Sequence, residues 1–216
     1  DLSASFDTTD LTLEGTGQFD LLQNSFEGQF GFTARTGSVR SLADSLGRQF
    51  PVDATARANG VLTCANSSCG IEIVNVAINS PQLEVSGSGR VDGLDEQLQL
   101  ALNFEGHTED IAVLAQAWGI QWPIPPQLEA SVTGWFDFDG NEARLSGLVG
   151  QISGDGLSGR FTGSLINLMH TPRPMWDLNL DVAELGRLIE HYGGPGDYHE
   201  PAQIQLQVRP SSKRAL

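Results

Sequence analysis

Few residues of this chain could do chemistry. Cys64 and Cys69 are its only cysteines, bracketing Ala65-Asn66-Ser67-Ser68 between two strand-like runs. A hairpin at that spacing brings the two sulfurs within bonding reach, and the pair is read as a disulfide, which implies an oxidising compartment such as the periplasm. Two free thiols in a cytosolic hairpin are the alternative. A zinc site would want further Cys or His at ligand spacing, and none lies nearby. The run Asp137-Phe138-Asp139-Gly140-Asn141-Glu142 has the opening of a calcium loop. It lacks the remaining ligands and the distant bidentate Glu, and it falls where a hairpin turn is wanted, so a turn is expected.

The other reactive residue types form no constellation. His107, His170, His191 and His199 are scattered, with no nucleophile or carboxylate at a catalytic spacing. Gly87-Ser88-Gly89 lies mid-strand without a helix opening after it, unlike a phosphate loop. Ser67 and Ser68 sit in no nucleophile elbow. Asn66-Ser67-Ser68 matches a glycosylation acceptor that a bacterial source would leave idle. The expectation is a protein that is not an enzyme, with no cofactor and no metal.

Bulk properties narrow the partners. The 216 residues carry 12 Lys and Arg against 27 Asp and Glu, a formal charge of -15. Nucleic acid and anionic membrane surfaces are repelled at long range by such a chain, so no nucleic acid partner is expected. With 39% hydrophobic residues and 25 glycines, it reads as a folded protein rich in strands and turns. No run approaches the roughly 20 apolar residues of a spanning helix, and no signal peptide is recognisable. Beginning at Asp1 without a methionine, the chain reads as an excised piece of something longer.

The elements repeat. Val39, Leu42, Leu46, Gly47, Phe50 and Pro51 recur as Ile111, Leu114, Trp118, Gly119, Trp122 and Pro123, a shift of about 72 positions. Leu185, Leu188, Tyr192 and Gly193 begin a third copy after a shift of about 74. Approximate units are 11–82, 83–156 and 157–216, the last incomplete. Each holds a short amphipathic helix. Thr108 is expected to cap the helix carrying Ile111, Leu114, Ala115 and Trp118, and Ser38 to cap the one carrying Val39, Leu42, Ala43 and Leu46. Asp181 and Glu184 resemble a capping box ahead of Leu185, Leu188 and Ile189, and Gly193-Gly194-Pro195 stops that helix.

Between the helices the chain alternates apolar and polar residues, as in Leu98–Phe104, Leu83-Glu84-Val85 and Trp176–Asp181, with Asp92-Gly93, Asp139-Gly140-Asn141 and Asp155-Gly156 as turns. The fold class is therefore mainly β: a repeating antiparallel sheet with one apolar face. Gly15, Gly17, Gly87, Gly89, Gly159 and Gly163 inside strands are expected to let it curve sharply. Three small helices cannot cover such a face, which must curl over itself or pack on something. A curled taco or half-pipe groove follows. Its lining candidates are Phe30, Phe32, Leu83, Val85, Leu100, Leu102, Phe104, Phe136, Phe138, Leu178 and Leu180. Trp118, Trp122, Trp135 and Trp176 could line a ligand site too, although helix-on-sheet packing accounts for Trp118 and Trp122, which stand where Leu46 and Phe50 stand in the earlier copy.

This order of strand, Leu-rich helix ending Trp118-Gly119, proline link at Pro123 and glycine-spaced strands Leu128–Phe138, Glu142–Leu148 and Leu157–Leu165 resembles the AsmA-like and TamB-like proteins of Gram-negative envelopes, relatives in architecture of the bridge-like lipid-transfer proteins. The likeness covers nearly the entire chain and is one of fold, without an invariant chemical motif. It implies a periplasmic protein anchored in the inner membrane through a segment outside this chain, with a groove that carries phospholipids toward the outer membrane. Phospholipid acyl chains and neighbouring repeats of the full-length protein are then the partners. Some members instead assist outer-membrane protein assembly, which makes strand pairing with outer-membrane assembly proteins the alternative. A closed β-sandwich acting as a spacer is a third reading. Bare sheet edges at both ends would also invite pairing between copies.

Overall fold

The structure, a computed structural model, describes residues 1–22, 25–45, 52–65, 68–94, 97–117, 127–154, 156–168 and 173–209. The expectations placed on Leu46, Gly47, Phe50, Pro51, Asn66, Ser67, Trp118, Gly119, Trp122, Pro123, Asp155 and His170 lie outside these residues.

The chain is mainly β. Its twelve strands are β1 (Leu2–Asp7), β2 (Thr12–Leu22), β3 (Ser25–Thr36), β4 (Thr55–Ala65), β5 (Ser68–Asn79), β6 (Glu84–Asp92), β7 (Gln99–Thr108), β8 (Glu129–Phe138), β9 (Ala143–Gly154), β10 (Leu157–Ile166), β11 (Arg173–Val182) and β12 (Ala202–Val208), and their order in the sheet follows the chain. Neighbours in sequence are neighbours in space, which short antiparallel turns permit and parallel crossovers would not. Three seven-residue helices interrupt the meander: α1 (Val39–Ser45), α2 (Ile111–Ala117) and α3 (Leu185–His191). By internal contacts the chain falls into two units, Asp1–Gly106 with Phe136–Asn141, and His107–Trp135 with Glu142–Leu216.

The helix ends show what the local sequence does. Ser38 caps α1 as expected, its Oγ accepting the Ser41 N–H at 3.1 Å. At α2 the cap is Asp110 rather than Thr108: Asp110 Oδ1 accepts the N–H groups of Ala112 (2.8 Å) and Val113 (3.3 Å). Thr108 is buried one step back, where its hydroxyl accepts the Asp110 N–H and donates to the Asp110 carbonyl. Thr36 makes the same two bonds to Ser38 ahead of α1. The capping box expected at α3 does not form. Glu184 is its extended N-cap residue and makes no side-chain cap bond. It pairs with Arg187 instead, while Asp181 accepts from Gln203 of β12. The C-terminal stop does form: Gly193, at φ +79°, and Gly194 donate to the Glu190 and Ile189 carbonyls, a Schellman closure.

Two bulges keep each strand's apolar residues on one face. In β5 the register slips at Val74-Asn75, so Ile71 and Ile73 hand over to Val76 and Ile78 without changing side. In β9 the slip lies between Leu145 and Leu148, with Gly147 in the left-handed region at φ +57°. Buried apolar residues are few among the described residues. Val52, Ala54, Ala115 and Leu128 are among them, close to α1 and α2, and the Val39 and Ile111 N–H groups bond the carbonyls of Ala54 and Leu128. No large side chain is sealed from solvent among the described residues.

Candidate functional site

The register of the first unit lays out a two-sided sheet. Reading across it, Gly17 opposes Phe30, Phe30 opposes Leu62, Leu62 opposes Ile71 and Ile71 opposes Val91. One row along, Gly15, Phe32, Gly60, Ile73 and Gly89 are opposed in turn. Directly opposed residues share a face. These rows and their neighbours, among them Leu13, Ala34, Ala58 and Val76, put only apolar residues and glycine on that face, closed by Thr36 at one end. The other face carries Glu14, Gln18, Asp20, Gln29, Thr33, Arg35, Arg57, Asn59 and Glu72.

Strand β7 continues the apolar side. A side chain added at Gly89 would meet Leu102, and one added at Gly87 would meet the Asn103 carbonyl and the Phe104 Cα. On the wet side Asn103 Oδ1 accepts the Ser88 N–H and hydroxyl at 3.0 and 2.8 Å. Alternation along β6 and β7 then sets Val85, Leu100, Leu102 and Phe104 on the face that holds Phe30 and Phe32, all of them half-buried. Leu83 departs from expectation. It lies in a turn before β6, its N–H and carbonyl bonded to Ser80, because the serine hydroxyl offers the backbone a local partner that ends the strand. Phe136 and Phe138 end β8 half-buried, on the parity of Val132 and Gly134.

The register of the second unit also lays out two faces. Ile152 opposes Gly159, which opposes Leu180, which opposes Ile204; Gly150 opposes Phe161, which opposes Leu178, which opposes Leu206. Gly163 opposes Trp176, and Trp176 opposes Val208. Leu178 and Leu180 thus stand on this face. Gln151, Arg160, Asn179 and Gln205 form a row of the other. Trp135 belongs to that opposite side, alternating with Gly134, and is 53% exposed beside Gly147.

The strand glycines give large side chains room on these faces. The Phe30 ring lies over Gly15, Phe161 over Gly150, Leu180 over Gly159 and Trp176 over Gly163, each large side chain occupying the space a neighbouring-strand Cβ would fill. Gly17 and Gly87 lie against the backbone carbonyls of Gln29 and Asn103. Phe19 and Phe30 stack with centroids 6.4 Å apart, and Phe161 packs on Trp176 at 5.8 Å. Phe19, Leu62, Ile71, Ile73, Phe161, Ile204 and Leu206 stand on these apolar faces as well, beyond the residues the sequence singled out. Gly-x-Phe spacing in successive strands was the signal available.

No protein-family model, curated protein or solved structure matches the chain. The face therefore has to be read from its own chemistry. Charged groups stay on the wet side or at strand ends, where they pair locally: Arg90 with Asp92, which holds the guanidinium above its ordinary pKa by a hydrogen bond first and by charge second, and Arg209 with Asp177. No group of three or more potential metal ligands gathers among the described residues. At the calcium-like run, the Asp139 carboxylate accepts the Asn141 N–H at 3.0 Å and the Asp139 carbonyl accepts from Gln97, the geometry of a turn. His107, His191 and His199 are exposed, and no described helix is long and apolar enough to cross a membrane.

Cys64 and Cys69 face each other across the β4–β5 hairpin as a disulfide, with Cα atoms 4.2 Å apart. Cys64 opposes Gly28 on the apolar side and is buried. The bond pins the register of the strands that carry Leu62, Ile71 and Ile73.

Proposed function

We propose that this chain is a lipid-holding segment: acyl chains lie on the apolar side of a curled, repeating half-pipe sheet, and the protein takes part in phospholipid transport across the periplasm during outer-membrane biogenesis. The reading joins the AsmA-like and TamB-like resemblance to one physical observation, the uncharged apolar face that is half-exposed rather than sealed. Apolar area left in water is a standing cost of roughly 25 cal/mol per Å². Acyl chains relieve it, each buried methylene contributing about 0.8 kcal/mol, with headgroups left in water and no fixed headgroup pocket required. The units of about 72 residues extend the same face along the protein, which in this reading is held at the inner membrane by a segment outside this chain.

The test is mass spectrometry of organic extracts from the gently purified protein and from a Leu102→Asp variant that keeps its far-ultraviolet spectrum. Phospholipid is expected with the first and absent from the second. Two folded proteins without lipid would favour the second reading, a structural or chaperone segment that pairs with strands of outer-membrane proteins.

A further inference from the structure

Arg90, Arg187 and Arg209 each hold an acid at 2.6 or 2.7 Å. Arg35 of β3 and Arg57 of β4 do not. They stand directly opposite one another on the wet face, both exposed, with no hydrogen-bond or ion-pair partner among the described residues. Opposed side chains on neighbouring strands start about 4.5–5.5 Å apart at Cβ, where like charges destabilise a sheet. With 27 Asp and Glu against 12 Lys and Arg, acids to separate the two cations are plentiful in the chain. The row they occupy reads Asp7, Thr12, Arg35, Arg57, Ala77 and Ser86. Its one acid is engaged, since Asp7 accepts the Thr12 hydroxyl at 2.8 Å. One row inward, Glu14 opposes Thr33 and Thr33 opposes Asn59, so Glu14 stands diagonal to Arg35 without pairing with it. On the rim side, an atom added at Gly37 would meet nothing within 4 Å, which leaves open space beside the pair.

We propose that Arg35 and Arg57 form a binding site for a phosphate group. Two guanidinium forks on adjacent strands suit an oxyanion that takes a bidentate bond from each and cancels the repulsion between them. A carboxylate has two oxygens and one charge, enough for one fork. A phosphate group has three acceptor oxygens and up to two charges, enough for both. Thr33 and Asn59, on the same face one row inward, add neutral donors to the patch. The pair also lies one row from the end of the apolar face, where Thr36 opposes Ala56. Free phosphate in solution and a phospholipid headgroup reaching over that rim present the same chemistry to it. The site stands whether or not the apolar face holds lipid.

The test is isothermal titration calorimetry with inorganic phosphate, at a fixed ionic strength that holds the screening of the chain's -15 charge constant. The unmodified chain is expected to bind a single phosphate, and Arg35→Gln and Arg57→Gln each to weaken that binding at least about tenfold. Arg35→Lys restores the charge without the fork and is expected to recover part of the loss. Glu14→Gln removes an acid beside the site and is expected to bind more tightly than the unmodified chain. In chloride without phosphate, Arg35→Gln is expected to melt no lower than the unmodified chain, because it relieves the opposed like charges. Short-chain phosphatidylglycerol below its micelle concentration separates the two sources. If Arg35→Gln weakens its binding too, the site takes a headgroup; if only phosphate binding weakens, the site takes free phosphate. Binding of neither probe, or binding of both that Arg35→Gln leaves unchanged, would overturn the proposal. So would a clearly lower melting temperature of Arg35→Gln in chloride, which would show the arginine serving its own sheet.

Discussion

The pairing of large side chains with strand glycines makes one substitution act with opposite signs on the two sides of the sheet. Gly150 is buried on the apolar side of β9, beneath the Phe161 ring, and a Cβ there would also lie 2.7 Å from the Ser131 carbonyl. Since Phe161 is held in turn by Trp176 at 5.8 Å, the ring has little room to yield. Gly150→Ala is then an overpacking change costing about 1–3 kcal/mol, offset by about 0.4–1 kcal/mol from the stiffer unfolded chain. The net loss is about 1–2 kcal/mol, or a Tm lowered by about 2–8 °C for a chain of this size. Gly31, on the wet side of β3, has only the Thr16 carbonyl at 3.8 Å from the same added atom. There the chain-entropy effect stands alone, and Gly31→Ala is expected to stabilise by about 0.4–1 kcal/mol. Calorimetry on both variants decides the sign. Combining Gly150→Ala with Phe161→Leu should recover at least about 0.5 kcal/mol relative to the sum of the single changes, because the two sites touch. Equal effects at Gly150 and Gly31, or strict additivity with Phe161→Leu, would refute the idea that these glycines exist to seat side chains.

Other consequences follow from the caps and the disulfide. Asp110→Ala removes the acceptor for two N–H groups of α2 and is expected to cost about 1 kcal/mol, whereas Asp110→Asn keeps the cap and should be nearly neutral by thermal denaturation. Replacing Cys64 and Cys69 together with alanine opens a very short loop, and the chain-entropy model gives a loss of about 2 kcal/mol. Non-reducing and reducing melts of the unmodified protein should differ by a similar amount, and identical melts would count against the register-pinning role.

How far the sequence carried the fold varies element by element. Strand alternation and turn glycines located the strands, and the three helices lie where apolar spacing put them, because both periods are local properties of the chain. Gly193 and Gly194 stopped α3 as read, since a left-handed closure needs residues without a Cβ. The capping box failed because Asp181 lies in β11 and its carboxylate is taken by Gln203, a neighbour 22 residues away that no window reveals. Thr108 was adjacent to the cap but buried, leaving Asp110 to do the capping. The glycine–aromatic pairs needed cross-strand register, which single-strand periodicity does not encode. The same is true of the bulges at Val74-Asn75 and Gly147, although the slip from Ile71 and Ile73 to Val76 and Ile78 is visible in the chain once a bulge is considered. Of the lining candidates, Phe30, Phe32, Val85, Leu100, Leu102 and Phe104 share the first unit's apolar face, and Leu178 and Leu180 share the second's. Leu83 lies in the serine turn one residue before β6.

The lipid-holding account turns on which side of the sheet meets acyl chains, and two tryptophans report on the two sides: Trp176 beside Phe161 on the apolar face and Trp135 on the wet one. The most direct measurement is fluorescence quenching by phospholipid brominated in its acyl chains, in variants that keep only Trp176 or only Trp135, with the remaining tryptophans changed to phenylalanine. The account predicts strong quenching of Trp176 and little of Trp135. Equal quenching of both, or none of Trp176 in a folded protein, would contradict it.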